Sequence, residues 1–224
     1  MSGKPSNQSD EVATILLVDD HPIVRRGFAA LIAQEPGLSV CGEAEDAATA
    51  LERITATGPS MVVIDISLPD GSGLELIKQI KARYPETRML VISMHDESLF
   101  AERALRAGAL GYLNKSEAPE QFIKAIHQVL RGEIYLSGGM TSRMLRQIVV
   151  GGDCEGSPVE NLSDRELEVF ELLGGGLTIS QIAERLHRSV KTVEAHRERI
   201  KRKLELKSSA ELTRHAFLWL QENS

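Results

Sequence analysis

Residues 61–76 read MVVIDISLPDGSGLEL, and the organisation of the first half of the chain follows from this stretch. Met61 to Ile64 form a nearly unbroken apolar run that ends at an acid, Asp65, which suits a strand covered on both faces. Past it, Leu76, Ile77, Ile80 and Tyr84 recur on one helical stripe. The same alternation extends over residues 14 to 131. Strands are predicted at TILLV (14–18), LSVCG (38–42), MVVID (61–65), RMLVIS (88–93) and ALGYL (109–113). Helical stripes fall between them, at Val24, Phe28, Leu31 and Ile32, and after them at Phe122, Ile123, Ile126 and Val129. The expected fold is α/β, a five-stranded parallel, doubly wound sheet of flavodoxin-like type.

The chain has 224 residues, enough for two domains, and its composition is that of a globular protein with no apolar run of membrane-spanning length. Residues 1–12 are polar and read as a disordered leader without the apolar core of a secretory signal, so a cytoplasmic location is expected. Cys41 and Cys154 lack the spacing of a metal or redox pair and read as two reduced thiols. Residues 13–132 form the first expected domain. A linker with a short possible helix follows over 133–158, its GGDCEGSP suited to a joint. The second domain, 159–224, is read as all-α with four helices. Three of these are announced by capping boxes, Ser163 with Glu166, Thr178 with Gln181 and Ser208 with Glu211, and the fourth starts near Ser189.

Chemistry in an open α/β sheet collects beyond the carboxyl ends of its strands. There stand Asp19 and Asp20 after the first strand, Asp65 at the end of the third, Ser93 at the end of the fourth and Lys115 after the fifth. Three adjacent carboxylates raise one another's pKa unless a cation offsets them, and an oxygen-seeking divalent ion, most simply Mg2+, fits. With such an ion to neutralise an incoming phosphoryl group, Asp65 serves as nucleophile and forms an acyl phosphate, with Ser93 and Lys115 as partners for the phosphoryl oxygens. His21 precedes Pro22 at a helix start and reads as a local structural residue. His95, two residues past Ser93, is expected to border the pocket and to affect acyl phosphate hydrolysis.

The ordered set Asp19-Asp20, Asp65, Ser93, Tyr112 and Lys115, with DISLPDGSGLEL and GALGYLNK around it, resembles a two-component receiver domain. The resemblance implies that Asp19, Asp20, Asp65 and the carbonyl of Ser67 bind the metal. It also implies that Asp65 takes its phosphoryl group from a sensor histidine kinase and that Tyr112 is the switch aromatic. An aspartyl-phosphate hydrolase would want a second acid where this chain has Ser67, and a substrate-covering cap. A regulator whose receiver works without phosphorylation is the other alternative.

Although the net charge is −6, residues 185–203 carry eight basic residues against the acids Glu194 and Glu198. The helix from Ser189 turns Val193, His196, Ile200 and Leu204 toward the core, and the opposite face can enter a major groove. His196, with no second ligand at metal spacing, reads as structural. Leu162 to Leu206 resembles the LuxR-type helix-turn-helix, and joined to a receiver it is similar to the NarL/FixJ class of response regulators. That resemblance implies a DNA-binding transcription regulator, not an enzyme, that acts as a homodimer on double-stranded DNA. Thr192 and the basic Lys191, Arg199, Arg202 and Lys203 would meet phosphates, and Glu194, Ala195 and Glu198 would face bases. Where many relatives have a Lys, this chain has Ser180, so one phosphate contact is expected to be lost. The last helix, with Leu212, Ala216, Trp219 and Leu220, offers a face either for pairing two such domains or for packing within one.

Overall fold

Five strands build one parallel sheet: β1 (Ala13–Val18), β2 (Leu38–Ala44), β3 (Met61–Asp65), β4 (Arg88–Ser93) and β5 (Gly111–Asn114), in the order β2-β1-β3-β4-β5. The computed structural model describes residues 12–69, 71–94, 97–150 and 158–223. The leader up to residue 11, His95, Cys154 and the joint at 151–157 lie outside the described residues. Helices α1 (Pro22–Ala33) and α5 (Pro119–Leu130) cover one face of the sheet, and α2 (Ala47–Thr57), α3 (Gly73–Arg83) and α4 (Glu97–Ala107) the other. This is the doubly wound architecture expected from the alternating pattern.

The period of two along each strand decides which face a residue serves. Ile15, Leu17, Met61, Val63, Leu90 and Ile92 point to the α1 and α5 side, where they meet Phe122, Ile126 and Val129 in one buried cluster. The Phe28 and Phe122 rings lie 4.3 Å apart between α1 and α5. A two-residue hairpin, Ser67–Leu68 against Gly71–Ser72, separates β3 from α3. Gly73 then starts α3 so close to the end of β3 that a Cβ there would lie 2.2 Å from the Asp65 carbonyl oxygen. A glycine at this position is what allows the helix to begin against the strand end.

Strand β5 starts two residues later than its apolar run suggests, because the N–H of Ala109 still bonds the Ala104 carbonyl of α4 at 3.0 Å. Past α5 the chain returns to the sheet. The N–H of Tyr135 donates to Leu110 at 2.9 Å, and the Tyr135 carbonyl accepts from Tyr112 at 3.0 Å, so Tyr135 covers the open edge of β5. The first compact unit extends to Leu136, and the second begins at Ser137.

That second unit holds α6 (Gly138–Val150), a 3-10 turn at Pro158–Asn161, α7 (Asp164–Gly174), α8 (Ile179–Arg185), α9 (Val190–Lys203) and α10 (Ser209–Asn223). The boxes at Ser163 and Thr178 form in full. The third forms by half: Ser208 Oγ accepts from the Glu211 N–H at 3.1 Å, but the Glu211 carboxylate reaches on to the Lys207 N–H at 2.8 Å. Leu212 and Ala216 are buried, and Trp219 stands edge-on to Phe170 of α7 with ring centroids 5.7 Å apart. The apolar stripe of α10 is thus used within the unit, while Phe217 and Leu218 lie on its exposed side.

Helices α7 and α10 approach closely at Gly174, where a Cβ would lie 2.7 Å from the Ala216 carbonyl oxygen and 2.6 Å from Leu220 Cδ1. Gly174→Ala must push backbone away from backbone and is expected to cost about 1–3 kcal/mol, as overpacked cores do. Urea unfolding followed through Trp219, the only tryptophan of the chain, measures this. A midpoint equal to wild type would show that the glycine does not set the spacing.

Candidate functional site

Strand order reverses between β1 and β3, and a crevice opens beyond the carboxyl ends of strands at such a point. Val18 pairs with Ile64, so Asp19 and Asp65, the next residues of the two strands, emerge side by side, both buried. Lys115 reaches between them from the loop after β5, its Nζ 2.6 Å from Asp19 Oδ2 and 2.7 Å from Asp65 Oδ2. The loop is held because the Lys115 N–H donates to the Ser93 carbonyl at 2.8 Å. Ser93 is buried one residue beyond Ile92, the β4 partner of Asp65, and Tyr112 is buried on β5 opposite Val91. The Ser67 N–H donates to Asp65 Oδ1 at 3.2 Å.

Burial drives the Asp65 carboxyl above the usual carboxylate range, with Asp19 adding to the effect and Lys115 and the Ser67 N–H working against it. For Lys115, burial disfavours the charge, but the carboxylates of Asp65 and Asp19 together outweigh it and hold the ammonium above its ordinary value. Asp20 is tied to His21, whose Nδ1 lies 2.6 Å from Asp20 Oδ1 and 3.3 Å from Asp19 Oδ1. One donor atom each of Asp19, Asp20, His21 and Asp65 lies within 4.8 Å of the others. Three carboxylates against one ammonium, mostly hard oxygen donors, make a set that a divalent oxygen-seeking cation fits. His21 thus does more than open a helix: it joins the acid cluster. Arg25 is not singled out in the sequence, yet it donates to the Asp19 carbonyl. Its signal was a cation near the start of a helix, where the dipole disfavours one.

In the second unit α8 turns into α9 through His187, held at a left-handed φ of 49°, with the Arg188 N–H on the Ala183 carbonyl at 2.8 Å. Ser189 caps α9, its Oγ accepting from the Thr192 N–H at 3.1 Å. Val193, Ile200 and Leu204 are buried. His196 is half-buried, and burial, followed by the nearby Arg199, lowers its pKa and favours the neutral ring. Lys191, Glu194, Ala195, Glu198, Arg199 and Arg202 are exposed, and Thr192 is half-buried beside its cap. Glu198 pairs with Lys201 at 2.9 Å. Lys203 is placed differently. Its Nζ turns back to the buried Glu166, 2.6 Å from Oε2, and to the Asn161 carbonyl at 3.0 Å.

Residues 15–127 match the response regulator receiver domain, and residues 160–216 match the bacterial regulatory proteins of the luxR family. The oxygen regulatory protein NreC of Staphylococcus carnosus (strain TM300) is 37% identical over 208 residues, 91% of this chain and 96% of that protein. The structure of RcsB from Salmonella enterica serovar Typhimurium bound to promoter P1flhDC with the phosphomimetic BeF3− has a TM-score of 0.61 and 28% identity, covering 92% of this chain and 98% of that one. A LuxR-family two-component response regulator from Aurantimonas sp. SI85-9A1 has a TM-score of 0.58 and 39% identity, covering 62% of this chain and 99% of that one.

Burial raises the Glu166 carboxyl, but its bonds from Lys203 and the Ser163 N–H outweigh that and leave it below the usual range. A depressed folded pKa contributes stability that is present above the unfolded value, about 4.3, and lost as pH falls through the folded one. Glu166→Gln is therefore expected to destabilise the second unit at neutral pH, with the gap from wild type closing in acid. Trp219-monitored urea unfolding at several pH values tests this, and a gap independent of pH would contradict it.

Proposed function

Because this chain belongs to the two-component response regulators of the NarL class, DNA-binding transcription regulators with a receiver ahead of a LuxR-type helix-turn-helix, we propose that phosphorylation of Asp65 controls its binding to DNA. The observation that carries this reading is the Lys115 ammonium shared by the buried Asp19 and Asp65 at the reversal point of the sheet. Asp65 attacks phosphorus as a carboxylate. The new P–O bond forms as the bond to the donor, a sensor histidine kinase, breaks. Lys115 and Ser93 then take the phosphoryl oxygens, and Tyr112 on the neighbouring β5 follows Ser93 as the switch. Asp19, Asp20, Asp65 and the Ser67 carbonyl would hold Mg2+, which supplies positive charge against the transferred group.

The second unit is proposed to lay α9 in the major groove, with Lys191, Thr192, Arg199 and Arg202 on phosphates and Glu194, Ala195 and Glu198 toward base edges. Lys203 adds charge to that end of the helix while its ammonium braces α9 on α7. A homodimer in the cytoplasm, bound to a two-fold DNA site, is the proposed working form. In support, a related structure contains two RcsB dimers bound to two parallel DNAs.

Incubation with a small-molecule phosphodonor and Mg2+ is expected to add one phosphoryl group to wild type, seen by mass, and to change DNA affinity. Asp65→Asn is expected to do neither at the same rate. A wild type that gains nothing, or an Asp65→Asn that is modified equally fast, would sink the proposal. For DNA contacts, log affinity against log salt should be steep, and Lys191→Ala should flatten the slope by about 1. An unchanged slope would remove Lys191 from the phosphate contacts.

A further inference from the structure

Every polar atom of Asp19 is engaged. Its N–H donates to the Ala44 carbonyl at 3.1 Å, Oδ1 accepts from the His21 N–H at 2.8 Å, Oδ2 meets Lys115 at 2.6 Å, and its carbonyl accepts from Nη1 of Arg25. The first three bonds come from neighbouring backbone or from within the pocket. The fourth comes from a side chain that belongs to neither. Arg25 sits near the N-terminal end of α1 with its side chain 12% exposed, and its Nε lies 3.1 Å from Oε2 of Glu43. Glu43 immediately precedes Ala44, the acceptor of the Asp19 N–H. The end of β2 therefore braces the acid loop twice, directly through Ala44 and through Arg25 by way of Glu43.

We infer that Arg25, anchored by Glu43, is a positioning residue for the cation site: it fixes the peptide between Asp19 and Asp20, so that both carboxylates are held ready for the ion. The inference rests on the reading of the pocket as a Mg2+ site. Arg25 offers no atom to the ion and acts only through the Asp19 carbonyl. Its guanidinium charge, taken alone, has the opposite effect, because a positive charge beside an acidic cluster repels a cation. Removal of Arg25 thus separates the two roles by sign: lost positioning weakens Mg2+ binding, and lost repulsion strengthens it.

Calorimetric titration of the full chain with Mg2+ alone, at constant ionic strength, tests the inference. Arg25→Ala is expected to raise the Kd about tenfold or more, the range seen when groups that orient metal ligands are removed. Arg25→Lys keeps the charge but loses the planar fork that holds Glu43 and the Asp19 carbonyl together, so it should raise the Kd by a smaller factor. It also decides the matter if Arg25→Ala does not fold. An Arg25→Ala Kd equal to or below wild type, or an Arg25→Lys Kd equal to wild type, would overturn the positioning role. Asp65→Asn serves as the control. If wild type binds no Mg2+, or Asp65→Asn binds it equally well, the reading of the pocket falls and takes this inference with it. If Asp65→Asn loses binding and Arg25→Ala does not, the positioning role alone fails.

Discussion

The ammonium of Lys115, 2.6 Å from one buried carboxylate and 2.7 Å from another, is the interaction around which the first unit is arranged. Asp19 and Asp65 are almost wholly withdrawn from water, and burying each charge costs several kcal/mol unless it is paired and hydrogen-bonded. Lys115 offsets that cost for both at once, and it joins the ends of β1 and β3 to the loop after β5. The bond from its N–H to Ser93 adds β4 to the same junction. Four of the five strands thus end at one junction, and the negative charge that Lys115 leaves unmatched there is what an arriving cation or phosphoryl group must meet. The fifth, β2, supports the junction from outside through Ala44 and Glu43.

The second unit repeats the principle with one carboxylate. Glu166 lies in the first turn of α7, where it completes the capping box with Ser163 and also receives Lys203 from the last turn of α9. One buried acid therefore finishes a helix end and fixes the angle of the helix that carries the basic surface. This has a consequence for counting charges. Lys203 belongs by sequence to the basic run of α9, but its ammonium is directed into the unit, and Glu198 is already paired with Lys201 along the helix. Lys203 is nonetheless exposed, so the outward charge of α9 is carried by Lys191, Arg199 and Arg202 with Lys203 at its end.

Most of the architecture was legible in the residues because its signals are local. Apolar runs found β3 and β4 to the residue, and two of the three capping boxes formed as the Ser/Thr-x-x-Glu/Gln spacing predicts. Strand ends were less legible where a tertiary bond competed. Strand β2 extends to Ala44 because β1 continues to pair with it past an irregularity between Ile15 and Leu16, and β5 starts late because α4 retains Ala109. The two readings of α10 were separable only by packing: Gly174 of α7 leaves room for Ala216 and Leu220, and the stripe turns inward.

The sequence by itself determined the doubly wound sheet, the helical second unit and the placement of Asp19, Asp20, Asp65, Ser93 and Lys115 at or just past strand ends, since periodicity and position at strand ends are properties of short segments. Tertiary structure decided which charges meet. Lys115 and Asp65 are 50 residues apart, and Lys203 and Glu166 are 37 apart. No local pattern specifies such pairs. The joining of Arg25 to Glu43 and of Tyr135 to the edge of β5 follows from sheet order and helix placement, because electrostatic and hydrogen-bond partners are chosen by distance in space.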